Sequence, residues 1–290
     1  MPSPVLKKLQ PYFPALFVLL WSSGFIGSKF GLGYAEPFTF LFIRMLVVAV
    51  LLTLVAWMTG APWPKSRRAV WHLVVSGLLV HGIYLGGVLS AVAHGLGAGL
   101  VALIVGLQPL LTAVITTLWM RETLVARQWI GLVLGLAGVA LVVSQKLTGH
   151  PDLPALALVT LALFGITLGT LYQKRFCGGM DLRTGTAVQA YTCAGLMLVL
   201  AVGFETMVVQ WTPQLIFALL WLIFVLSIGA FFLLSILLRQ GQSLQVTRLF
   251  YLTPPVTAVM AWLAFGEGLP PTVVAGFLVA ALGVWMARQA

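Results

Sequence analysis

The 290-residue sequence is 61% hydrophobic and only 8% charged, with a mean hydropathy of +1.07 and a net charge of +10. A soluble domain carries about 25% charged residues, so this composition excludes a water-soluble globular protein and predicts an integral membrane protein. The positive charge does not indicate a nucleic-acid partner, because the Lys and Arg residues fall in short loops between apolar segments, where they give an orientation signal.

Ten apolar segments follow one another along the chain, each close to the length of about 20 residues that a helix needs to cross the hydrocarbon core. In chain order they are Phe13–Gly31, Pro37–Met58, Val70–Ala91, Gly97–Met120, Gln128–Ser144, Leu153–Tyr172, Thr184–Phe204, Pro213–Leu237, Leu244–Phe265 and Pro270–Ala287. Gly and Pro residues separate several of them, as at 60–64 and 149–151, and no loop exceeds about 15 residues. The sequence therefore predicts an all-α membrane protein of ten transmembrane helices, without room for a soluble domain.

The charged loops predict the orientation of these helices. If the amino terminus is inside, the outer segments contain only Lys29 and Lys146. The inner segments then contain Lys7, Lys8, Lys65, Arg67, Arg68, Arg121, Arg127, Lys174, Arg175, Arg183, Arg239, Arg248 and Arg288. Because Lys and Arg concentrate in cytoplasmic loops, both termini are predicted to be cytoplasmic.

The second half of the chain repeats the first at an offset of about 145 residues. Residues 101–141 align without a gap with residues 246–286, and the identical pairs include Pro109/Pro254, Thr112/Thr257, Ala113/Ala258, Glu122/Glu267, Gly131/Gly276 and Gly138/Gly283. This predicts two domains, residues 1–145 and 146–290, each with five helices. Since five is odd, the second domain inserts upside down, which is the inverted-topology arrangement of many secondary transporters.

Several motifs in this order resemble the EamA-type drug/metabolite transporters. They are Leu-Trp-Ser-Ser-Gly-Phe-Ile-Gly-Ser-Lys at 20–29, Arg44 after Pro37-Phe38, and the repeated P-x-x-T-A-V and E-x-L elements with their following glycines. The resemblance covers nearly the whole chain and implies two inverted five-helix repeats around a central cavity. It also favours amino acids and similar metabolites as substrates. The two halves are chemically unequal, because the counterparts of Trp21 and Arg44 are Ile166 and Gln189.

Polar and aromatic residues in the middle of the spans are candidates for substrate binding, because polar groups inside a membrane usually face a cavity or a partner. The candidate substrate-binding residues are Trp21, Ser22, Phe25, His81, Tyr84, Gln108, Tyr251 and Thr253. A packed aromatic side chain for Trp21, and a neutral, hydrogen-bonded core histidine for His81, remain open as alternatives. The aromatic members would suit aromatic or apolar side chains of a substrate.

A second set of residues is predicted to act in gating. Pro109 and Pro254 occupy equivalent mid-span positions, where a proline removes a helical hydrogen bond and kinks the helix. Lys29, Arg44, Lys174 and Arg248 are placed towards the two mouths of the predicted cavity. The alternatives are a static bend for the prolines and snorkelling side chains at the interface for the charged residues.

The carboxylates all fall at span ends, so the sequence offers no central Asp or Glu as a proton or sodium site. His81 alone could titrate near neutral pH at mid-depth, which predicts facilitated diffusion or weak proton dependence. The scattered histidines and the lack of a nucleophile at a common depth predict neither an enzyme nor a metal or cofactor site.

Together these features predict a secondary transporter of small organic metabolites, above all amino acids with aromatic or hydrophobic side chains. It is expected to work outward by alternating access, in the inner membrane of a bacterium, as a monomer or homodimer. An uptake carrier or facilitator of the same solutes remains open. An intramembrane enzyme is disfavoured, because it would need a nucleophile, a metal or an acid–base pair at a common depth. A structural subunit is disfavoured as well, because it would have no use for the mid-membrane polar residues.

Overall fold

The computed structural model describes residues 12–120, 126–146, 152–230, 233, 249–250 and 252–286. Over these residues the chain is helical, apart from turns, short connections and one isolated antiparallel bridge between Ala35 and Val209. Within that part of the chain, seven helical stretches are long and apolar enough to cross a membrane. The prediction of an all-α membrane protein is therefore confirmed where the structure describes the chain.

Within the described residues, each predicted span contains helix, and the bounds agree to different degrees. Those before residue 147 are α1 Phe13–Gly31, α2 Pro37–Met58, α3 Arg67–Gly77 continued by Leu78–Ile83 and Tyr84–Ala93, α4 Ala98–Val105, α5 Gln108–Met120 and α6 Ala126–Lys146. Those after it are α7 Leu153–Phe176, α8 Leu182–Phe204, α9 Pro213–Leu220 continued by Trp221–Ala230, α10 Thr253–Phe265 and α11 Pro271–Met286. The bounds of α1 and α2 equal the predicted ones, whereas the fourth predicted span is divided into α4 and α5 at residues 106–107. In the predicted fifth, ninth and tenth spans, which correspond to α6, α10 and α11, the apolar helical part is shorter, at Trp129–Val142, Thr253–Phe265 and Pro271–Gly283.

Local sequence explains where many of these helices begin. Proline occupies the first turn of α1, α2, α7, α9 and α10, where its missing N–H would be unpaired in any case. At the starts of α3, α7, α8 and α9, a side-chain oxygen accepts a hydrogen bond from a backbone N–H of the first turn, which has no partner within the helix; these caps are Ser66, Asp152, Asp181 and Thr212.

Two of the membrane helices contain a stretch of π-helix. In α3 it covers Leu78–Ile83, and in α9 it covers Trp221–Ala230. The repeat offset places these stretches at equivalent positions of the two halves. Because π-helical turns are rare and are frequent at functional sites, both segments mark α3 and α9 as helices that could carry the site.

The helices pack in pairs that join the two halves of the chain. α2 packs along α8, α4 along α10, α6 along α11, α1 along α9 and α3 along α7. The α6–α11 contact is the closest, because backbone meets backbone there: a β-carbon on Gly138 would collide with Gly276 and Ala280, and one on Gly283 with the backbone of Gly131 and Gly135. The Gly131-x-x-x-Gly135 motif therefore lies in a seam within one chain.

The connections between helices form two opposite ends of the bundle. At the Lys29 end, defined by residues 29–38, 96–98, 205–212 and 265–270, the backbone N–H of Gln210 donates to the carbonyl of Tyr34 at 2.9 Å. At the Arg183 end, defined by residues 59–72 and 172–184, Thr184 Oγ1 donates to the Pro62 carbonyl at 2.9 Å and Arg183 Nη1 donates to Thr59 Oγ1 at 2.6 Å. Both ends therefore join connections from the two halves of the chain.

Candidate functional site

A buried arginine lies in the first half of α2. The side chain of Arg44 is only 4% exposed. Its Nη2 donates a long hydrogen bond of 3.5 Å to Ser227 Oγ in the π-helical stretch of α9, and its Nε has no hydrogen-bond partner among the described residues. Ser227 is already engaged as a donor to the Leu222 carbonyl at 3.0 Å, so it can accept from Arg44.

Polar residues of two further helices lie within electrostatic range of this guanidinium. Arg44 interacts electrostatically with His81 and Tyr84 on α3 and with Cys193 on α8. His81 lies in the π-helical stretch of α3, is buried, and leaves its Nδ1 without a partner in the described part of the chain. We call Arg44, His81, Tyr84, Cys193 and Ser227 the Arg44 cluster. It brings residues of α2 and α3 together with residues of α8 and α9, and thus joins both halves.

The carboxylates that the structure describes are all engaged elsewhere. Glu36 accepts from Thr206, Glu205 from the backbone N–H groups of Phe38 and Thr39, and Asp152 from that of Ala155. Asp181 pairs with Arg183 at 2.7 Å, and these hydrogen bonds from Arg183 lower the pKa of Asp181 to about 2. Glu267 pairs with Lys29 at 2.6 Å. None of these five groups lies against Arg44, whose charge therefore has no carboxylate partner in the residues described.

A second group of predicted residues lies on α1. The Trp21 ring packs edge-on against Phe250 at 5.0 Å and lies 5.5 Å from Phe17. Ser22 Oγ donates to the carbonyl of Thr253 at 3.3 Å. Sequence reasoning named Tyr251 but missed its neighbour Phe250, although the aromatic pattern at this depth pointed to the same segment.

The remaining candidate binding residues are placed around these two groups. Gln108 donates from Nε2 to Thr170 Oγ1 on α7 at 3.1 Å. Phe25 is buried in the main apolar core, and Tyr84 packs against that core from the Arg44 cluster. Tyr251 and Arg248 lie outside the described residues.

The two predicted prolines lie where helical segments begin. Pro109 is the second residue of α5, directly after the break at 106–107, and Pro254 is the second residue of α10. A β-carbon added to Gly106 would meet the Pro254 ring, so Gly106, in the break before α5, faces Pro254. A small apolar crevice lies at this contact, lined by Leu103, Gly106, Leu107, Pro254, Pro255 and Phe277.

Of the predicted gate charges, Lys29 has the most specific contacts. Its Nζ binds Glu267 Oε1, lies 4.6 Å from the centre of the Phe265 ring, and thereby ties α1 to the α10–α11 connection. Glu267 also accepts from the backbone N–H of Ala98 at 2.9 Å, which adds the start of α4. Burial acts to raise the pKa of Glu267, but the hydrogen bonds from Lys29 and Ala98 outweigh it and hold the pKa below its usual value. Arg44 is not part of this Lys29–Glu267 contact and belongs to the Arg44 cluster. Lys174 is exposed in the last turn of α7, at the Arg183 end.

Comparison with known sequences finds a family model that resembles the first half of the chain, and transporters that resemble most of it. Residues 12–144 match the model of the EamA-like transporter family. The chain is 29% identical to "Uncharacterized transporter YvbV" of Bacillus subtilis (strain 168), over 91% of this chain and 87% of that protein. It is 23% identical to a "Probable amino-acid metabolite efflux pump" of Salmonella typhimurium, over 97% of this chain and 95% of that protein.

Two further similarities were found, one to a sequence and one to a solved structure. An "Uncharacterized inner membrane transporter YedA" of Escherichia coli (strain K12) is 26% identical over 67% of this chain and 63% of that protein. A solved crystal structure superimposes with a TM-score of 0.68 at 17% identity, covering 95% of this chain and 94% of that chain. At this identity the structural match establishes a shared fold alone.

Proposed function

We propose that this protein is a member of the EamA-like transporter family of the drug/metabolite transporters, and that it exports amino acids and related small metabolites across a bacterial inner membrane by alternating access. The observation that carries the proposal is the Arg44 cluster, which brings together polar groups of four helices from both halves inside the bundle. Arg44, His81 and Cys193 are buried there, and Tyr84 and Ser227 are half-buried. Polar and ionisable groups inside a membrane protein are costly, so they are rare and commonly mark a substrate path. The amino-acid class is supported by the name of the Salmonella typhimurium relative.

The proposed architecture is ten helices in two inverted repeats, residues 1–145 and 146–290. α1 ends at the Lys29 end of the bundle whereas its counterpart α7 ends at the Arg183 end, and α2 and α8 are likewise opposed. The equivalent π-helical stretches and the pairing of α2 with α8, α4 with α10 and α6 with α11 also support it. Two such repeats can exchange conformations, which opens the path to one side at a time.

The proposed orientation has both termini in the cytoplasm, so that the Lys29 end faces outward. Single cysteines at Pro62 and Gly268, in a chain with Cys177→Ser and Cys193→Ser, test it. Both positions are exposed, at opposite ends of the bundle, and both native thiols are buried. We expect an impermeant maleimide added to intact cells to label position 268 and not position 62. Labelling of position 62 alone would show that the orientation is reversed.

Transport itself is tested by counterflow in proteoliposomes with labelled aromatic and aliphatic amino acids. We expect exchange by the wild type and a several-fold lower rate for Gln108→Leu, because this change leaves Thr170 without its amide donor. Val199→Ala is the matched control, since Val199 is 70% exposed on α8 and should leave the rate unchanged. Equal rates for wild type and empty liposomes across the panel would exclude the proposed substrate class.

We also propose that an imposed pH gradient drives little accumulation. Within the described residues, His81 is the buried histidine, while His72 and His94 lie near helix ends. Any weak proton dependence should therefore disappear in His81→Gln. Steep accumulation that survives this substitution in the same liposomes would place the coupling site elsewhere.

A further inference from the structure

We infer that Arg44 is the anchor for a single carboxylate on the substrate, so that the carrier selects solutes by a free monoanionic head group. The inference rests on the proposed transport function and makes it more specific. It starts from the Arg44 cluster, where a guanidinium that is 4% exposed has one long hydrogen bond to a hydroxyl and an Nε without a partner among the described residues.

A guanidinium in this position requires an anion. Arginine stays protonated at any physiological pH, so it cannot lose its charge when it is buried. A buried charge is retained only where an opposite charge and hydrogen bonds compensate for its lost hydration. The five carboxylates that the structure describes all bind other groups, at the ends of helices. The compensating anion is therefore to be sought in the substrate.

The equivalent position in the other half shows that the fold itself does not need the charge. Gln189 on α8 is the repeat counterpart of Arg44, is 2% exposed, and donates from Nε2 to Ser76 Oγ on α3 at 3.1 Å. Arg44 on α2 is paired with Ser227 on α9 in the same manner. One half thus makes this helix contact with a neutral amide at good hydrogen-bond distance, while the other contains a cation with one long hydrogen bond and an Nε without a partner among the described residues.

The chemistry of the cluster limits what the anion is. A guanidinium presents two parallel N–H groups that match the two oxygens of a carboxylate. The other members, His81, Tyr84, Cys193 and Ser227, add no second fixed positive charge comparable to an arginine. One arginine balances one negative charge, so a carboxylate fits the cluster and a phosphate dianion would leave a charge uncompensated.

The first test measures binding by thermal unfolding of the purified full-length protein in detergent, and so does not depend on transport. The probes are 3-phenylpropionate, which has the carboxylate alone, 2-phenylethylamine, which has the amine alone, and phenyl phosphate. We expect 3-phenylpropionate to raise the Tm of the wild type, and the other two to leave it unchanged. Stabilisation by the amine or the phosphate equal to that by the carboxylate would overturn the inference.

Variants then assign this effect to Arg44. Arg44→Gln introduces the residue that already occupies the equivalent position, and should weaken carboxylate binding about tenfold or more. Arg44→Lys keeps the positive charge but not the two parallel N–H donors of the guanidinium. This variant should bind the carboxylate more weakly than the wild type does, and should still prefer the carboxylate to the amine. Arg183→Gln removes an arginine that already has a carboxylate partner, and should bind as the wild type does. Unchanged carboxylate binding in folded Arg44→Gln would contradict the inference, and if that variant does not fold, unchanged binding in Arg44→Lys would do so.

Counterflow separates this inference from the proposed function. We expect phenylalanine to exchange, and phenylalanine methyl ester to fail as a competitor at tenfold excess. If the ester competes as well as the free acid, the Arg44 inference fails while amino-acid transport stands. If no amino acid exchanges but 3-phenylpropionate stabilises the wild type and not Arg44→Gln, the substrate class proposed above fails while the carboxylate site stands.

Discussion

Lys29→Glu should open the Lys29 end of the bundle and reduce transport strongly. The change places two carboxylates at a contact where Lys29 and Glu267 now bind at 2.6 Å, and like charges at that distance repel. It also removes the cation above the Phe265 ring. Because this contact joins α1 to the α10–α11 connection and, through Ala98, to the start of α4, its loss should favour the conformation that is open at this end. We expect counterflow to fall at least about tenfold, as a shift of about 1.4 kcal/mol between the two conformations would give.

Thiol accessibility provides the direct measurement. Ser28→Cys, in the chain without native cysteines, puts a thiol at a position that is 6% exposed beside Lys29. Its labelling by an impermeant maleimide should be slow in the parent and rapid with Lys29→Glu. Lys29→Glu with Glu267→Lys should restore part of the protection, but not all, because a lysine at 267 cannot accept from the Ala98 N–H. Asp181→Asn, which breaks the ion pair at the opposite end, is the control and should not alter labelling.

The same assay has an expected pH dependence. A carboxylate whose pKa is lowered in the folded protein contributes stability that is present above its ordinary pKa of about 4.3 and is lost as the pH falls through the lowered value. Since the pKa of Glu267 is lowered, protection of the Ser28→Cys thiol should be constant from about pH 5 to 8 once the intrinsic reactivity of the thiol is corrected for. A rise in labelling between pH 7 and 5, or unchanged labelling in Lys29→Glu, would show that this pair does not hold the end closed.

Gly138→Leu should cause a large loss of stability. A β-carbon at this position would overlap the backbone of Gly276 and Ala280, and backbone atoms cannot rotate away as a side chain can. The α6–α11 seam would have to separate, at a cost on the order of 3 kcal/mol. We expect a clear drop in the Tm of the purified protein and lower yields from membranes, without a specific change in substrate preference among the folded molecules.

Gly195→Leu is the matched control for this experiment. Gly195 lies on the exposed side of α8, and a β-carbon there would meet no atom within 4 Å. The same substitution should therefore change the Tm little in either direction, since surface replacements are usually within about 0.5 kcal/mol. Equal losses at both positions would mean that leucine disturbs the helices themselves rather than the seam between them.

The elements that were predicted well are those fixed by local sequence. α1 and α2 have the predicted bounds because apolar length, a proline in the first turn and the turn residues after each helix all lie within the segment itself. The fourth span was predicted as one helix and is divided at residues 106–107, because apolar composition is the same on both sides of the break. The π-helical stretches in α3 and α9 could not be predicted for the same reason, since hydropathy does not distinguish an α-helical turn from a π-helical one.

Membrane class, the repeat and the candidate polar residues were determined by the sequence alone, because each depends on residue type and spacing along the chain. Which of those residues meet was decided by the tertiary structure. Lys29 and Glu267 are 238 residues apart, and Arg44 and Ser227 are 183 residues apart. α2 is apolar on nearly every side, so it has no polar face that would indicate its orientation. Its sequence therefore cannot show whether Arg44 points towards lipid, towards a mouth of the cavity or into the bundle. Packing against α8 fixes that rotation, and it is this contact that buries the arginine beside α3 and α9.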